Sequence, residues 1–222
     1  MDVLSQILNN SSELTPNMQI FLLMTALMFL PTIIFMMTSF VRIVITMSFI
    51  KSALGAQQAI PNQILVGLAL CLTLFIMKPV VGKVTENSIQ PYIKKEITIE
   101  EAYEEFKNPI SEFLLKQTRD SDLELFVKNS SIDIASIKEE KDLPLSVIVP
   151  AFAISELKTA FQIGFIVYIP FLVIDLVVSS ALMSMGMFML PPAMVSLPFK
   201  LLLFVMVDGW SLLIKSLIQS FT

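Results

Sequence analysis

Long apolar segments interrupted by prolines dominate the pattern of the chain. Residues 18–41 form the first segment, with 24 residues and no charge, and the apolar character continues to Ile50. A helix rises about 1.5 Å per residue, so this length is enough to span a bilayer. Pro31 divides the segment, and an interior proline removes a backbone hydrogen bond. The pattern predicts helices over 18–30 and 32–50, with a kink or break between them.

A turn and a second apolar segment follow. Residues 55–62 combine glycine, glutamine and proline, which is typical of a turn between two apolar helices and predicts a helical hairpin. The second segment runs from Ile64 to Met77 and closes at Lys78 and Pro79. Its 14 apolar or small residues are short for a free-standing span.

A polar insert separates the two apolar parts of the chain. Residues 86–142 hold 14 of the 19 acidic residues and 8 of the 15 basic residues. From Ile99 onwards, apolar side chains recur at helical spacing, which predicts an amphipathic helix. Thr98 and Glu101 fit a capping box at its start, and Pro109 is expected to restart the helix after a bend. The insert is predicted to be a small helical domain with a solvated charged face.

The C-terminal third of the chain is apolar again, but it is broken and carries isolated charges. Residues 151–182 contain Pro170, and residues 186–221 contain the pair Pro191 and Pro192. Irregular backbone at membrane depth is tolerated only where protein buries it or where it lines a cavity. The pattern therefore indicates an assembly or a pathway rather than a simple anchor.

Composition supports the membrane class. The 222 residues are 55% hydrophobic and 15% charged, whereas a soluble domain is roughly 45–50% apolar and about 25% charged. We predict an all-α integral membrane protein of broken apolar helical hairpins with a small helical polar insert. Its predicted parts are an N-terminal hairpin over 1–85, the insert over 86–146 and C-terminal apolar helices over 147–222.

The residue counts also exclude several kinds of chemistry. The chain has no histidine, so a Ser/His/Asp site and a His-ligated zinc are both excluded. The single Cys71 cannot form an intramolecular disulfide. No basic stripe with interleaved aromatic residues occurs, so nucleic acid is not an expected partner. We predict no enzymatic activity, no cofactor and no metal site.

The charges that flank the apolar segments predict an orientation. Residues 1–16 contain no lysine or arginine and therefore do not resemble a secretory signal. Four apolar segments would place both termini on one side of the membrane. Arg42 and Lys51 lie near the tip of the first hairpin, whereas the insert has a net charge of -6, from 8 bases and 14 acids. The positive-inside rule places that tip in the cytoplasm, and the insert and both termini outside.

Six ionisable residues lie in apolar segments, where each costs about 2.5–3.5 kcal/mol on insertion scales. They are three bases and three acids: Arg42, Glu156, Lys158, Asp175, Lys200 and Asp208. Two interpretations are open, a proton or ion relay and structural pairing within or between subunits. The absence of histidine favours pairing, because a relay normally needs a group that titrates near neutral pH. We predict that Glu156 and Lys200 pair across a subunit interface.

A run of methionines at every second position is the most unusual local sequence. It extends from Met183 to Met189, contains Gly186 and is followed by two prolines. Gly186 loosens a helix and Pro191 disfavours helical backbone at the residue before it, so the later part is predicted to be a loop. Methionine is unbranched and soft, and a ring of such loops would close a pore against ions while deforming around a polypeptide. Composition alone favours core filling instead.

Several long motifs together resemble one family. In chain order they are FVRIVI at 40–45, PNQILVGLAL at 61–70, VPAFAISELKTAFQIGF at 149–165, IDLVVSS at 174–180, MGMFMLPP at 185–192 and PFKLLLFVMVDGW at 198–210. These motifs closely resemble the FliP family of flagellar type III export-gate proteins, whose injectisome relatives are the SctR proteins. The resemblance covers nearly the whole chain.

The resemblance implies a non-enzymatic pore subunit. Family members build a helical ring with FliQ and FliR, joined by FlhB and FlhA. Unfolded flagellar proteins pass through it across the bacterial cytoplasmic membrane, within the flagellar basal body. The ring lies largely above the bilayer plane, so apolar segments would be buried against neighbouring subunits. The methionine gasket of the family corresponds here to Met187 and Met189, with Met185 and Phe188 in support.

Two alternatives stay open. An injectisome subunit is the first, because many flagellar members carry a cleavable signal sequence that this chain does not show, although MLPP at 189–192 is more typical of flagellar members. A secondary transporter or proton channel is the second, with Asp175 and Asp208 as a relay in proline-broken helices. A stable complex with FliQ-like and FliR-like chains would distinguish a gate subunit from a transporter that works alone.

Overall fold

Helices account for all the regular secondary structure in the described residues, which are 16–56, 60–130 and 140–221 of a computed structural model. The prediction that concerned the signal sequence falls on residues outside these ranges. The all-α class is confirmed over the described chain. Its α-helices are α1 (Pro16–Met36), α2 (Phe40–Ala53), α3 (Asn62–Val84), α4 (Gln90–Ile93), α5 (Ile99–Gln117), α6 (Asp120–Asn129), α7 (Leu145–Ser184), α8 (Pro192–Met206) and α9 (Gly209–Gln219).

Helix α1 belongs to a unit of its own, and the residues from Met37 onward form a second compact unit. Pro31 lies inside α1, and the helix ends at Met36. The predicted break at Pro31 is therefore wrong, since the break falls at residues 37–39, and a kink at Pro31 stays a prediction. One lost backbone hydrogen bond is tolerated in an apolar helix, so the proline alone does not end it. Exposed apolar side chains such as Phe21 and Met28 suit a helix that lipid or protein covers.

The core of the second unit lies where α2 packs along α7, with α3 and α8 beside them. Ile43, Met47 and Ile50 point one face of α2 into this core, and all three are essentially fully buried. Ala69 of α3 and Leu217 of α9 complete the same cluster. The apolar residues of α2 recur at three- and four-residue spacing, so one helical face supplies the core.

Gly164 allows α2 and α7 to approach closely. A Cβ atom at this position would lie 2.6 Å from the Phe49 ring atoms Cγ and Cδ2. We expect Gly164→Ala to lower the free energy of unfolding by about 1–2 kcal/mol, because Phe49 must leave its position to make room. Denaturant unfolding in detergent, followed by the fluorescence of the single Trp210, measures the change.

Gly67→Ala is the matched control for this substitution. Gly67 lies in α3, where an added Cβ atom would meet nothing within 4 Å. An unhindered alanine in a helix interior is more favourable than glycine by roughly 0.5–1 kcal/mol, so this variant should be more stable than the wild type. A Gly164→Ala protein that behaves like Gly67→Ala would show that Phe49 is not a steric limit.

Helix α3 does not stop at the predicted end of the second apolar segment. Pro79 lies inside the helix, and the chain continues through a π-helical turn at Thr85–Ile89 into α4. The continuous helix from Asn62 to Ile93 has 32 residues. The predicted end of the second apolar segment at Lys78 and Pro79 is thus wrong. The helix also continues past residue 85, which is the predicted end of the N-terminal hairpin region.

The insert forms helices α5 and α6, which dock on the first half of α7. The capping box of Thr98 and Glu101 is confirmed, with both reciprocal hydrogen bonds present. The predicted restart of the helix at Pro109 is wrong, because α5 runs through this buried proline without a break. Leu114 of α5 packs with Phe152 of α7 in a second apolar cluster. The insert is therefore joined to the apolar helices by a continuous core.

Two described helices are long and apolar enough to cross a membrane, or up to four segments if each bent pair counts as one span. Helix α7 has 40 residues, which corresponds to about 60 Å and exceeds the roughly 30 Å of a bilayer core. Helices α8 and α9 meet at 62°. Since the insert covers the first half of α7, only part of this helix is available to lipid.

Candidate functional site

The methionine run forms the tip of a hairpin between α7 and α8, and residues 185–189 are called the methionine tip below. Gly186 has a positive φ of 76°. Its N–H donates to Met183 O over 3.1 Å, and the N–H of Met187 donates to Leu182 O over 3.0 Å. This pattern is a Schellman motif, in which glycine at the left-handed position closes a helix. The predicted loop before Pro191 is confirmed.

The methionine tip presents its large apolar side chains to the surroundings. Met189 is 97% exposed, Phe188 is 78% exposed and Met185 is 72% exposed, while Met187 is partly covered. The tip contains no polar side chain, and no charged residue occurs from position 176 to position 199. A contiguous exposed apolar surface of this kind marks a contact site, because water would otherwise surround it at a free-energy cost.

A buried ionic contact fixes the two arms behind the tip. Lys200 Nζ of α8 donates to Asp175 Oδ2 of α7 over 2.6 Å, and Ser196 Oγ donates to Asp175 Oδ1 over 2.6 Å. Lys200 and Ser196 are buried, and Asp175 is partly exposed. We call these three residues the tip clamp. Because each carboxylate oxygen accepts a bond from α8, the clamp holds α7 and α8 in one register.

Arg42 forms the centre of the largest buried polar network. Its Nε donates to Glu156 Oε2 over 2.9 Å, and its Nη2 contacts Glu156 Oε1, so the pair is bidentate. Its Nη1 donates to the Ser220 carbonyl over 2.9 Å, and Nη2 donates to Gln117 Oε1 over 3.1 Å. The guanidinium carbon lies 3.9 Å from the ring centroid of Phe221. We call these five residues the arginine hub.

The arginine hub joins α2, α5, α7 and the residues after α9. Glu156 is fully buried and Arg42 is 3% exposed, so water does not reach the pair. The prediction that Glu156 pairs with Lys200 across a subunit interface is therefore wrong, because each residue is buried with a different partner in its own chain. Bidentate geometry and hydrogen bonds to every guanidinium nitrogen favour arginine here and exclude lysine as an equivalent.

A second ionic contact attaches the insert to α7. Asp122 of α6 accepts a hydrogen bond from Ser155 Oγ over 2.9 Å and is paired with Lys158. Ser155 Oγ in turn accepts a hydrogen bond from the backbone N–H of Arg119 over 3.0 Å. Burial raises the pKa of Asp122, but the bonds from Lys158 and Ser155 outweigh it, and the pKa lies below its ordinary value. Asp122 therefore stays ionised in the folded protein.

The attachment of α6 is expected to weaken in acid. A carboxyl group whose pKa is lower in the folded state stabilises that state above its unfolded pKa of about 3.9, and the contribution is lost as the pH falls below this value. The protection factors of the α6 amides, which correct for the intrinsic slowing of exchange in acid, should therefore fall below about pH 4. In Asp122→Asn, the α6 amides should already exchange faster at pH 7, and their protection should show no further fall near pH 4. In Asp120→Asn, which changes an exposed residue, the fall near pH 4 should remain. A wild-type profile without the fall would rule out this linkage.

Asp208 differs from the other five lone charges. It is exposed at the bend between α8 and α9, has a positive φ of 49° and makes no side-chain bond to the helix that follows it. No ion-pair partner for it occurs among the described residues. The described part of the chain thus brings Arg42 to Glu156 and Lys200 to Asp175, pairs Lys158 with Asp122 of the insert, and leaves Asp208 apart.

Sequence reasoning missed several partners of these charges. Ser155 and Ser196 are buried and bond to the same carboxylates as the lysines three and four positions after them. A small polar residue one helical turn before an isolated charge lies on the same helix face as that charge. This spacing was the sequence signal that could have identified the two serines as partners. The charged face of the insert is predicted to be solvated, but Asp122 of the insert is 2% exposed.

The described residues show no metal centre. No group of three or more His, Cys, Asp and Glu side chains among them is placed to hold an ion. A cavity of about 1000 Å³ opens in the insert and is lined by charged and amide groups, including Lys83, Asn87 and Glu112.

Comparison with known proteins identifies the family. The FliP family profile matches residues 23–217, a range that contains Arg42, Glu156, the tip clamp and the methionine tip. The flagellar biosynthetic protein FliP of Bacillus subtilis is 51% identical over 213 residues, which cover 96% of each chain. The protein of the same name from Pectobacterium carotovorum is 51% identical over 96% of this chain and 82% of its own, and that from Aquifex aeolicus is 46% identical over 94% and 87%. The chain therefore belongs to the FliP family.

Proposed function

We propose that this chain is a pore-forming subunit of the flagellar type III protein export gate, conducting unfolded flagellar proteins across the bacterial cytoplasmic membrane. The relatives are named as flagellar biosynthetic proteins, and the long apolar helices suit a membrane complex. The single observation that supports a pore-forming role is the methionine tip, an exposed apolar loop held on two clamped helices.

A ring of such tips would act as a seal. Thioether side chains are flexible and adapt to irregular surfaces, so tips from several copies can close around one axis and open around a passing polypeptide. Their lack of charge and of hydrogen-bonding groups makes the closed ring costly for a hydrated ion to enter. The tip clamp keeps the two arms fixed, so movement is confined to the tip.

The assembly is a ring of several copies of this chain with FliQ and FliR, joined by FlhB and FlhA. Apolar side chains on the outer face of α7, among them Phe165 and Ile166, are exposed in the isolated chain. A soluble protein rarely exposes such a face, and neighbouring subunits or lipid would cover it. Mass determination of the intact co-expressed complex gives copy number and partners, and a co-expressed chain that never co-purifies with FliQ and FliR would contradict this arrangement.

The orientation of the chain is also part of the proposal. We place the insert and both termini outside the cytoplasmic membrane, with the tip of the first hairpin, near Lys51, in the cytoplasm. Arg42 contacts Gln117 of the insert and Ser220, so it lies at the end of α2 that faces the insert. Single cysteines in a Cys71→Ser background, labelled from either side of the membrane, test it. Labelling of an insert cysteine at Asp120 from the cytoplasmic side would reverse the assignment.

The seal is tested by removing its thioethers. In Met187→Ala/Met189→Ala, we expect cells to leak small ions while still exporting flagellar protein, because the shortened side chains leave a gap at the axis. Ion conductance of membranes that contain the assembled gate measures the leak. Met206→Ala is the matched control, since Met206 is 75% exposed, between Met187 at 40% and Met189 at 97%, but lies outside the tip. Unchanged conductance in the double variant would exclude a sealing tip.

A secondary transporter has less support. Arg42 and Lys200 are each neutralised by a buried or partly buried carboxylate of the same chain, which favours structural pairing over a proton relay. Solute flux through liposomes that contain this chain alone would support the transporter. The names of the relatives support a flagellar rather than an injectisome subunit.

A further inference from the structure

The sulfur atoms of the methionine tip are open to reagents that cannot reach those of the core. Met189 and Met185 are mostly exposed, whereas Met47 is 0% exposed and Met77 is 6% exposed. Oxidation of methionine to its sulfoxide needs contact between the oxidant and the sulfur. We propose that the methionine tip is a reversible oxidation site, with peroxides as the class of oxidant, and that sulfoxide formation there opens the seal.

The backbone of the tip favours this modification. The Schellman bonds at Gly186 and Met187 fix the turn by main-chain groups alone, so an oxygen atom added to a side chain does not have to break them. The methionine side chains project from the turn with space around them. Oxidation therefore changes the chemistry of the tip and leaves its shape in place.

The reaction balances with a peroxide as the only co-reactant. A lone pair of the thioether sulfur attacks one peroxide oxygen, the O–O bond breaks and an S–O bond forms. The sulfur is oxidised by two electrons. With hydrogen peroxide, one oxygen stays on the sulfur, and the other leaves with both protons as water. Methionine sulfoxide reductases reverse the step, because two thiols supply the two electrons, become a disulfide and release the oxygen as water.

A sulfoxide changes what the tip can bury. Its oxygen is a strong hydrogen-bond acceptor, but residues 185–189 carry no side-chain donor and no cation occurs from 176 to 199. A buried acceptor without a partner is unfavourable, so the oxygen keeps water in the ring. Hydrated tips no longer exclude ions. This consequence rests on the proposed function, whereas the oxidation itself does not.

The experiment uses membranes that contain the assembled gate, with Cys71→Ser to remove the exposed thiol. Hydrogen peroxide is added for graded times, and peptide mass mapping follows each methionine. Exposure differences of this size should make sulfoxide form at Met189 and Met185 at least about tenfold faster than at Met47 and Met77. Equal rates at these four residues would overturn the proposal.

A leucine variant links the modification to conductance. Met185→Leu/Met187→Leu/Met189→Leu nearly preserves side-chain volume but cannot form a sulfoxide anywhere in the tip. We expect peroxide to raise the ion conductance of the parent gate and not that of the leucine gate, and sulfoxide reductase to reverse the rise. If the tip is oxidised while conductance stays unchanged, opening of the seal is overturned. If the alanine double variant leaks but peroxide does not modify the tip, the oxidation site is overturned and the proposed pore stands.

Discussion

Replacing Arg42 with alanine is expected to lower the free energy of unfolding by about 3–5 kcal/mol, the range for breaking a buried ion pair by removing one partner. Glu156 is fully buried and would keep a carboxylate without a cation. Gln117 and the Ser220 carbonyl would lose their donors at the same time. Three helices and the residues after α9 meet at this guanidinium, so the loss is not confined to one contact.

Unfolding of the detergent-solubilised chain, followed by Trp210 fluorescence, measures this effect. Lys78→Ala is the matched control, because Lys78 is an exposed cation in an apolar helix with no ion pair among the described residues. Arg42→Met/Glu156→Leu removes both charges, and a buried pair replaced by apolar residues is often neutral in stability, so most of the loss should be recovered. A single variant within about 1 kcal/mol of the wild type, or a double variant no better than the single, would refute the account of the hub.

Local features of the fold were predictable because their cause lies within a few residues. Thr98 and Glu101 are three positions apart, and their reciprocal bonds follow from side-chain reach alone. Gly186 and Pro191 set backbone angles directly, so the loop between α7 and α8 was predictable. Pro31 was misleading as a break signal, because it costs one backbone hydrogen bond and an apolar helix tolerates that loss.

The partners of the buried charges were beyond local reasoning. Arg42 and Glu156 are 114 positions apart, and Asp122 and Lys158 are 36 apart. One sequence shows that such groups need partners in an apolar setting but not which groups meet, since that depends on how α2, α6 and α7 pack. The candidate tip was therefore predictable, whereas the contacts that hold its arms were not.

Replacing Lys200 with methionine is expected to damage export more than it damages the fold. The side chain keeps its length and remains buried, but Asp175 retains only the bond from Ser196. A carboxylate in this apolar setting has lost its cation, and since Asp175 is one-third exposed we expect a cost of about 2 kcal/mol, below the full value for a buried ion. A cost of this size lowers the equilibrium constant between the clamped and unclamped hairpin about 30-fold, so export should fall by up to this factor.

Secretion of a flagellar substrate at matched levels of assembled gate measures the effect of Lys200→Met. Ser196→Ala removes one hydrogen bond and no charge, so its effect should be clearly smaller, about 1 kcal/mol. Asp175→Asn/Lys200→Met leaves a neutral amide that still accepts from Ser196, and it should recover most of the lost export. Both arms would then be held without an ion pair. If the double variant exports as poorly as Lys200→Met, Lys200 acts on something other than Asp175, and the tip clamp is not what positions the methionines.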